Sequence, residues 1–220
     1  MNIFIDLEMQ NMRNATAEIR KVCCREAIEI GAVAVDDCGK QYGSFKTYVK
    51  PQYSDRISGK IRDLTGVSSG NVAGAECFEK AFHEMMQWCL SFENSVVYAW
   101  SESDLTQLTK EGTLKHVEVS AEEQAVLENW RDLQKEFDEL IDAPQATSLG
   151  KAVSICGLED VGRKHDAYWD AVNTAAVFET IQDREGFLKS LDRIRQVLGY
   201  EEEPITLGRM IDFSAFSLSA

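Results

Sequence analysis

An α/β domain built around a mixed sheet is the fold class this sequence predicts. Three observations predict it. Short β-branched apolar runs end in turn signals, longer segments carry apolar residues at helical spacing, and the two kinds mix along the chain. At 220 residues, with 44% apolar and 27% charged side chains, the chain can bury a core as one sizeable domain, which argues against disorder.

Asn2–Leu7 (NIFIDL) is a short apolar run ending in acids, so it reads as a buried strand with carboxylates at its tip. Ala27–Val35 (AIEIGAVAV) is a second strand. Asp36–Lys40 (DDCGK) is a turn, and Tyr42–Val49 (YGSFKTYV) a third strand, making an antiparallel meander. Glu76–Leu90 places apolar residues at 78, 81, 82, 85, 86, 89 and 90, a helical stripe. Ser95–Trp100 (SVVYAW) is another buried strand, with Ser101–Asp104 as its exit and a helix start.

The segment Ala121–Ile141 reads two ways. Propensity makes it one long helix, yet Val126–Leu133 also fits a strand feeding a helix from Gln134. Ser148–Cys156 and Trp169–Ile181 read as helices, and Phe187–Leu198 as a last one. Domain organisation is thus a principal domain over residues 1–183, with the helix and a semi-apolar tail over residues 184–220 packed on it.

The net charge of −14 argues against a protein that holds long polyanions by surface charge alone. A protein that grips only a strand end through bound cations escapes that objection. Six cysteines at 23, 24, 38, 77, 89 and 156 lack zinc-finger spacing and read as small, buried, reduced thiols of a cytoplasmic protein. MNIFIDLEMQ carries two acids and too short an apolar run for a signal peptide, and no stretch is long enough to span a bilayer.

Three local features carry chemistry together. In Asp6-Leu7-Glu8, residues two apart on a strand project from one face, so both carboxylates can meet a hard cation. Alone, such a pair is commonly two solvated acids. Asp104 follows a buried strand and reads either as a helix N-cap or as a further ligand. His165 stands before a helix beginning near Asp170, which is itself a cap or a ligand. His83 and His116 have no comparable acidic setting.

FIDLE, AWSESD and GRKHDAYWDAVNTA, in that order, resemble the three motifs of the DEDDh 3′→5′ exonucleases. AIEIGAVAVD, FKTYVKP and Leu64-Thr65-Gly66-Val67 are similar to that family's strands and intervening loop. WRDLQKEF and the glycine-arginine before His165 resemble its histone-mRNA exonuclease and bacterial sporulation-inhibitor branch. The resemblance covers about Asn2 to Ile181. It implies a ribonuclease H-like, mixed five-stranded sheet flanked by helices, with a strand around Val126–Asp132. It also implies that Asp6, Glu8, Asp104 and Asp170 are metal-binding acids and His165 the general base. Met9 departs from the small or hydroxyl residue often found after the first motif's glutamate.

The expected activity is hydrolysis of phosphodiester bonds at the 3′ end of single-stranded nucleic acid, RNA favoured over DNA. Two Mg²⁺ or Mn²⁺ ions about 4 Å apart would supply the activated water and the charge neutralisation. Leu7 and Met9 are candidates to pack on terminal bases and Arg163 to contact phosphate, although each has an equally good structural role. Rival readings are a DNA proofreading-type exonuclease, or a nucleic-acid-binding module that has lost the chemistry. No membrane partner is expected, and the oligomeric state is open, with residues 205–220 a possible contact.

Overall fold

A computed structural model describes residues 1–197 of the chain. Six strands form one sheet: β1 (Asn2–Asn11), β2 (Arg25–Val35), β3 (Gln41–Lys50), β4 (Glu76–Cys77), β5 (Val96–Ala99) and β6 (Trp130–Asp132), in the order β4-β3-β2-β1-β5-β6. β1, β2 and β3 are the expected antiparallel meander, whereas β5 pairs with β1, and β6 with β5, in parallel. The sixth strand is the two-residue β4 beside β3.

The sheet centre is mostly apolar, with Glu26 and Glu29 as the buried acids of β2. Every residue of β2 after Arg25 is buried, because helices cover both faces. On one face Ile3, Ile5 and Leu7 of β1 pack with Phe78, Phe82, Met85 and Met86 of α4 (Phe78–Leu90). On the other, Phe4, Val33 and Tyr98 pack with α7 (Leu133–Ile141) and with α9 (Ala167–Gln182), whose Ala171, Ala175 and Val177 lie in this layer. Burying the twelve largest enclosed side chains, at about 1.5–3 kcal/mol each, outweighs any single polar contact in the fold.

Four expectations change. β1 runs four residues beyond Leu7, so Asp6 and Glu8 stand inside a strand instead of at its tip. The β2 register continues opposite them, Asp6 facing Gly31 and Glu8 facing Glu29, with a bulge following at Glu8/Met9. The segment 121–141 divides into α6 (Ala121–Glu128), the three-residue β6 and α7. A capping box between Ser120 and Glu123 starts α6 and draws Val126 into it, shortening the strand implied over Val126–Asp132. Cys24, Cys38 and Cys77 are exposed, while Cys23 and Cys89 are buried. His83 does have an acidic partner, its Nδ1 lying 2.7 Å from a carboxylate oxygen of the buried Glu123.

Helices α1 (Ala17–Val22), α2 (Gly59–Thr65), α3 (Ser69–Ala73), α5 (Ser103–Lys115), α8 (Leu149–Ile155) and α10 (Arg184–Val197) complete the described chain. Phe187 and Leu191 of α10 join the α7/α9 layer. The tail from Ile205 lies outside the described residues.

Candidate active site

Asp6 and Glu8 alternate with core residues Ile5 and Leu7 along β1, so pleating alone sends both carboxylates to the α9 face. Beyond Phe4, β1 has no pairing with β5, which leaves a backbone N–H without a sheet partner. Asp104 supplies it: its Oδ1 accepts from the Leu7 N–H at 3.1 Å. The residue stands in the first turn of α5 but its carboxylate serves β1, not an N-cap. That bond fixes α5 against β1 and places a third acid beside the first two.

The fourth comes from α9. Asp166, not Asp170, is the N-cap, its side chain accepting from the Trp169 N–H. Asp170 lies one turn in, and its Oδ2 accepts from the His165 N–H at 3.0 Å. His165 has φ +59°, a left-handed conformation uncommon outside glycine. The loop before it is held by Asn173, whose amide both accepts from the Val161 N–H and donates to the Val161 carbonyl. Ligand atoms of Glu8, His165 and Asp170 lie within 4.8 Å of one another.

Glycine 31 makes this convergence possible. A Cβ there would lie 2.1 Å from the Tyr168 nitrogen and 2.2 Å from the Ala167 carbonyl carbon, both backbone atoms. Only a residue without a side chain lets the start of α9 press onto β2 opposite Asp6. Glu29 clamps the contact, accepting from the Ala167 N–H at 3.2 Å, while Lys46 bridges Glu29 and Asp166. Sequence reading missed Gly31, Glu29, Lys46 and Asn173. Gly31 and Glu29 left one signal, a glycine and an acid inside an otherwise apolar strand.

The electrostatics are those of acids crowded away from water. Burial, then Asp104, Asp170, Glu8 and Glu29, hold the Asp6 carboxyl well above its ordinary range. Burial foremost, with Asp170 and Glu29 next, pushes Glu8 up to about 8. Burial raises Asp104 to about 7 against the opposing pull of the Leu7 N–H, and raises Asp170 as well. Such a cluster binds protons or cations in place of bare charge.

The acids line an open cleft of about 720 Å³. Leu7 and Met9 are among its lining residues, although both also pack against the α4-face core, and Ile61 and Leu64 line it from α2. Arg13, Arg25 and Lys60 supply cationic groups that the overall composition conceals. Arg163 is not among the lining residues. Its guanidinium donates to the Asp63 carbonyl at 3.0 Å in the last turn of α2, a capping contact.

A family model described as RNase_T exonuclease matches residues 3–178. The chain belongs to this exonuclease family. Among relatives of the RNase_T chain, the 3′-5′ exonuclease crn-4 of Caenorhabditis elegans is 24% identical over 164 residues, 70% of this chain and 55% of that protein. ERI1 exoribonuclease 2 of Danio rerio is 29% identical over 172 residues, 69% of this chain and 30% of that one. This exonuclease-family chain thus spans about half of one curated relative and under a third of the other. The solved nuclease domain of 3′hExo, a DEDDh family member bound to rAMP, superposes with a TM-score of 0.71 at 18% identity, covering 83% of this chain and 91% of that domain. At that identity the likeness speaks for the fold, which is ribonuclease H-like.

Proposed function

We propose that this chain is a metal-dependent 3′→5′ exonuclease acting on single-stranded nucleic acid, with RNA preferred to DNA. One observation carries the reading. Asp6, Glu8, Asp104 and Asp170, from one strand and two helices remote in sequence, converge on a cleft lined also by His165. A module that had lost the chemistry has no reason to keep four clustered acids, two buried (Glu8 and Asp104) and two half-buried (Asp6 and Asp170), whose desolvation and mutual repulsion destabilise the fold unless a cation offsets them.

The donor set fits a hard divalent cation: carboxylate oxygens with one imidazole nearby suit Mg²⁺ or Mn²⁺ better than a softer metal. Two such ions held by the four acids would neutralise charge on the scissile phosphate and acidify the attacking water. Asp6 is the acid whose charge feels the other three, which favours it as the shared ligand. Asp104 is locked to the strand by the Leu7 N–H, so it presents its remaining lone pairs without side-chain rearrangement.

His165 is exposed, and its backbone is fixed by Asp170, so its ring stands at the cleft with freedom to take the proton from the attacking water. Ile61 and Leu64 of α2, with Leu7 and Met9 bordering the cleft although their side chains pack mainly into the α4 layer, offer apolar contact to a terminal base that is tolerant of sequence. Arg13, Arg25 and Lys60 offer phosphate contacts further along. Support for RNA over DNA comes from one relative named an exoribonuclease and from the 3′hExo domain solved with a ribonucleotide.

The test is a time course on 5′-labelled single-stranded RNA and DNA oligomers with Mg²⁺, with and without EDTA, beside Asp6→Asn. A ladder shortening from the 3′ end, abolished by EDTA and by the variant, is the expected result. Internal cuts, 5′ release, or full activity in Asp6→Asn would sink the assignment.

A further inference from the structure

We propose that Gln10 recognises the ribose 2′-hydroxyl of the nucleotide beside the scissile phosphate and so selects RNA. The inference rests on the nuclease reading above and concerns a residue that reading does not use. Along β1 the side chains alternate: Leu7 and Met9 pack into the α4 layer, while Asp6, Glu8 and then Gln10 take the opposite face. Gln10 therefore continues the row of metal-binding acids, about 7 Å beyond Glu8 by strand rise, within the size of one nucleotide.

Gln10 is only 2% exposed, yet it lines the cleft, and neither its Nε2 nor its Oε1 has a hydrogen-bond partner among the described residues. Buried amides are rarely left this way, because each unmet donor or acceptor forfeits its hydration. The residue opposite offers no relief. Glu26 spends its carboxylate on the Gln52 and Tyr53 N–H groups. The same fold satisfies another buried amide: Gln107 donates both to the Arg25 carbonyl and to Glu111. Among the described residues only Trp130 Nε1, in the edge strand β6, is likewise buried and unpartnered; Gln10 is unmet at both polar atoms and stands beside the acids.

A carboxamide presents one acceptor and a donor pair, and a 2′-hydroxyl is both donor and acceptor, so the two match reciprocally. A carboxylate at this position would accept only, and would repel the phosphate; an apolar side chain would not distinguish the sugars. Both polar atoms of the amide are out of contact with solvent, so meeting the ribose requires the side chain to turn about its own bonds.

The experiment compares the wild-type chain with Gln10→Met, which keeps length and removes the amide. Gln10→Leu serves as a second variant, and melting temperature verifies the fold of each. Rates are measured on all-ribose oligomers and on the same oligomers with a single 2′-deoxy sugar at the last or next-to-last position. Wild type should favour ribose at one of these positions. Gln10→Met should shrink that preference by roughly fivefold, the worth of one hydrogen bond, leaving the deoxy rate and Mn²⁺ binding unchanged. An unchanged ribose-to-deoxy ratio overturns the inference and leaves an internal water as the partner of Gln10. A changed preference between adenine and cytosine ends, with the sugar ratio intact, overturns it in favour of base reading. If wild type cleaves nothing, the nuclease reading fails by itself. Binding of AMP against 2′-deoxy-AMP in Mn²⁺, wild type against Gln10→Met, then decides the role of Gln10.

Discussion

Removing metal should make the stability of this chain fall as pH rises through neutrality, and the size of the effect follows from the site. Glu8 has a carboxyl raised from 4.5 to about 8, and Asp104 one raised from 3.8 to about 7, both chiefly by burial. The folded state therefore holds protons that the unfolded chain releases. The stability these two groups contribute is fully present below about pH 4, declines as pH rises toward about 8, and is gone above that. Because the acids share their protons, one proton is the safe count. At 1.36 kcal/mol per pH unit, it costs about 2.7 kcal/mol between about pH 5.5 and about pH 7.5. For a chain of this size that lowers the melting temperature by roughly 5–10 °C. The assay is a thermal melt in EDTA across that range, repeated in saturating Mg²⁺ or Mn²⁺, which should flatten the decline by replacing the protons. Glu8→Gln should also weaken the metal-free slope. A metal-free melting temperature that stays level or climbs with pH, or a slope indifferent to Glu8→Gln, would refute the reasoning.

Four further outcomes are expected. His165→Ala should lose about 10²–10⁴-fold in turnover while calorimetry still records Mn²⁺ binding; full activity would remove the general-base role. Gly31→Ala should destabilise the fold by about 1–3 kcal/mol or more and cut activity, since the backbone of Ala167 and Tyr168 must retreat from the new methyl; a variant with native melting temperature and rate would show that the contact is dispensable. Asp104→Asn should abolish turnover with near-native stability, because its amide oxygen can still accept from the Leu7 N–H, whereas Asp104→Ala should also lose about 1–3 kcal/mol in a denaturant melt. Arg163→Ala should lower the melting temperature and leave KM for an oligomer unchanged, and a raised KM with intact stability would restore a substrate-binding role.

The order of strands and helices was legible because burial on a sheet face and along a helix stripe imposes periods of two and 3.6 on the chain. β2 announced itself by a β-branched, apolar run interrupted only by Glu29 and Gly31, and α4 by its seven spaced apolar residues. Boundaries were less legible. β1 looked finished at Leu7 because acids seldom sit inside a central strand, and only a neighbouring strand and helix show why these do. The segment 121–141 was ambiguous because β6 is three residues long and its partner β5 lies some thirty residues earlier, beyond any local pattern.

By itself the sequence determined the fold class, the meander, the three motif segments and the family resemblance they carry, because these follow from residue type and spacing alone. Tertiary structure alone decided that Asp104 bonds the Leu7 N–H, that Arg163 caps α2 instead of lining the cleft, and that Gly31 admits the start of α9. It also decided that the amide of Gln10 is buried beside the acids without a partner among the described residues. Each of these depends on distances between segments far apart in the chain. Local pattern records which way a side chain faces, and packing decides what it meets there.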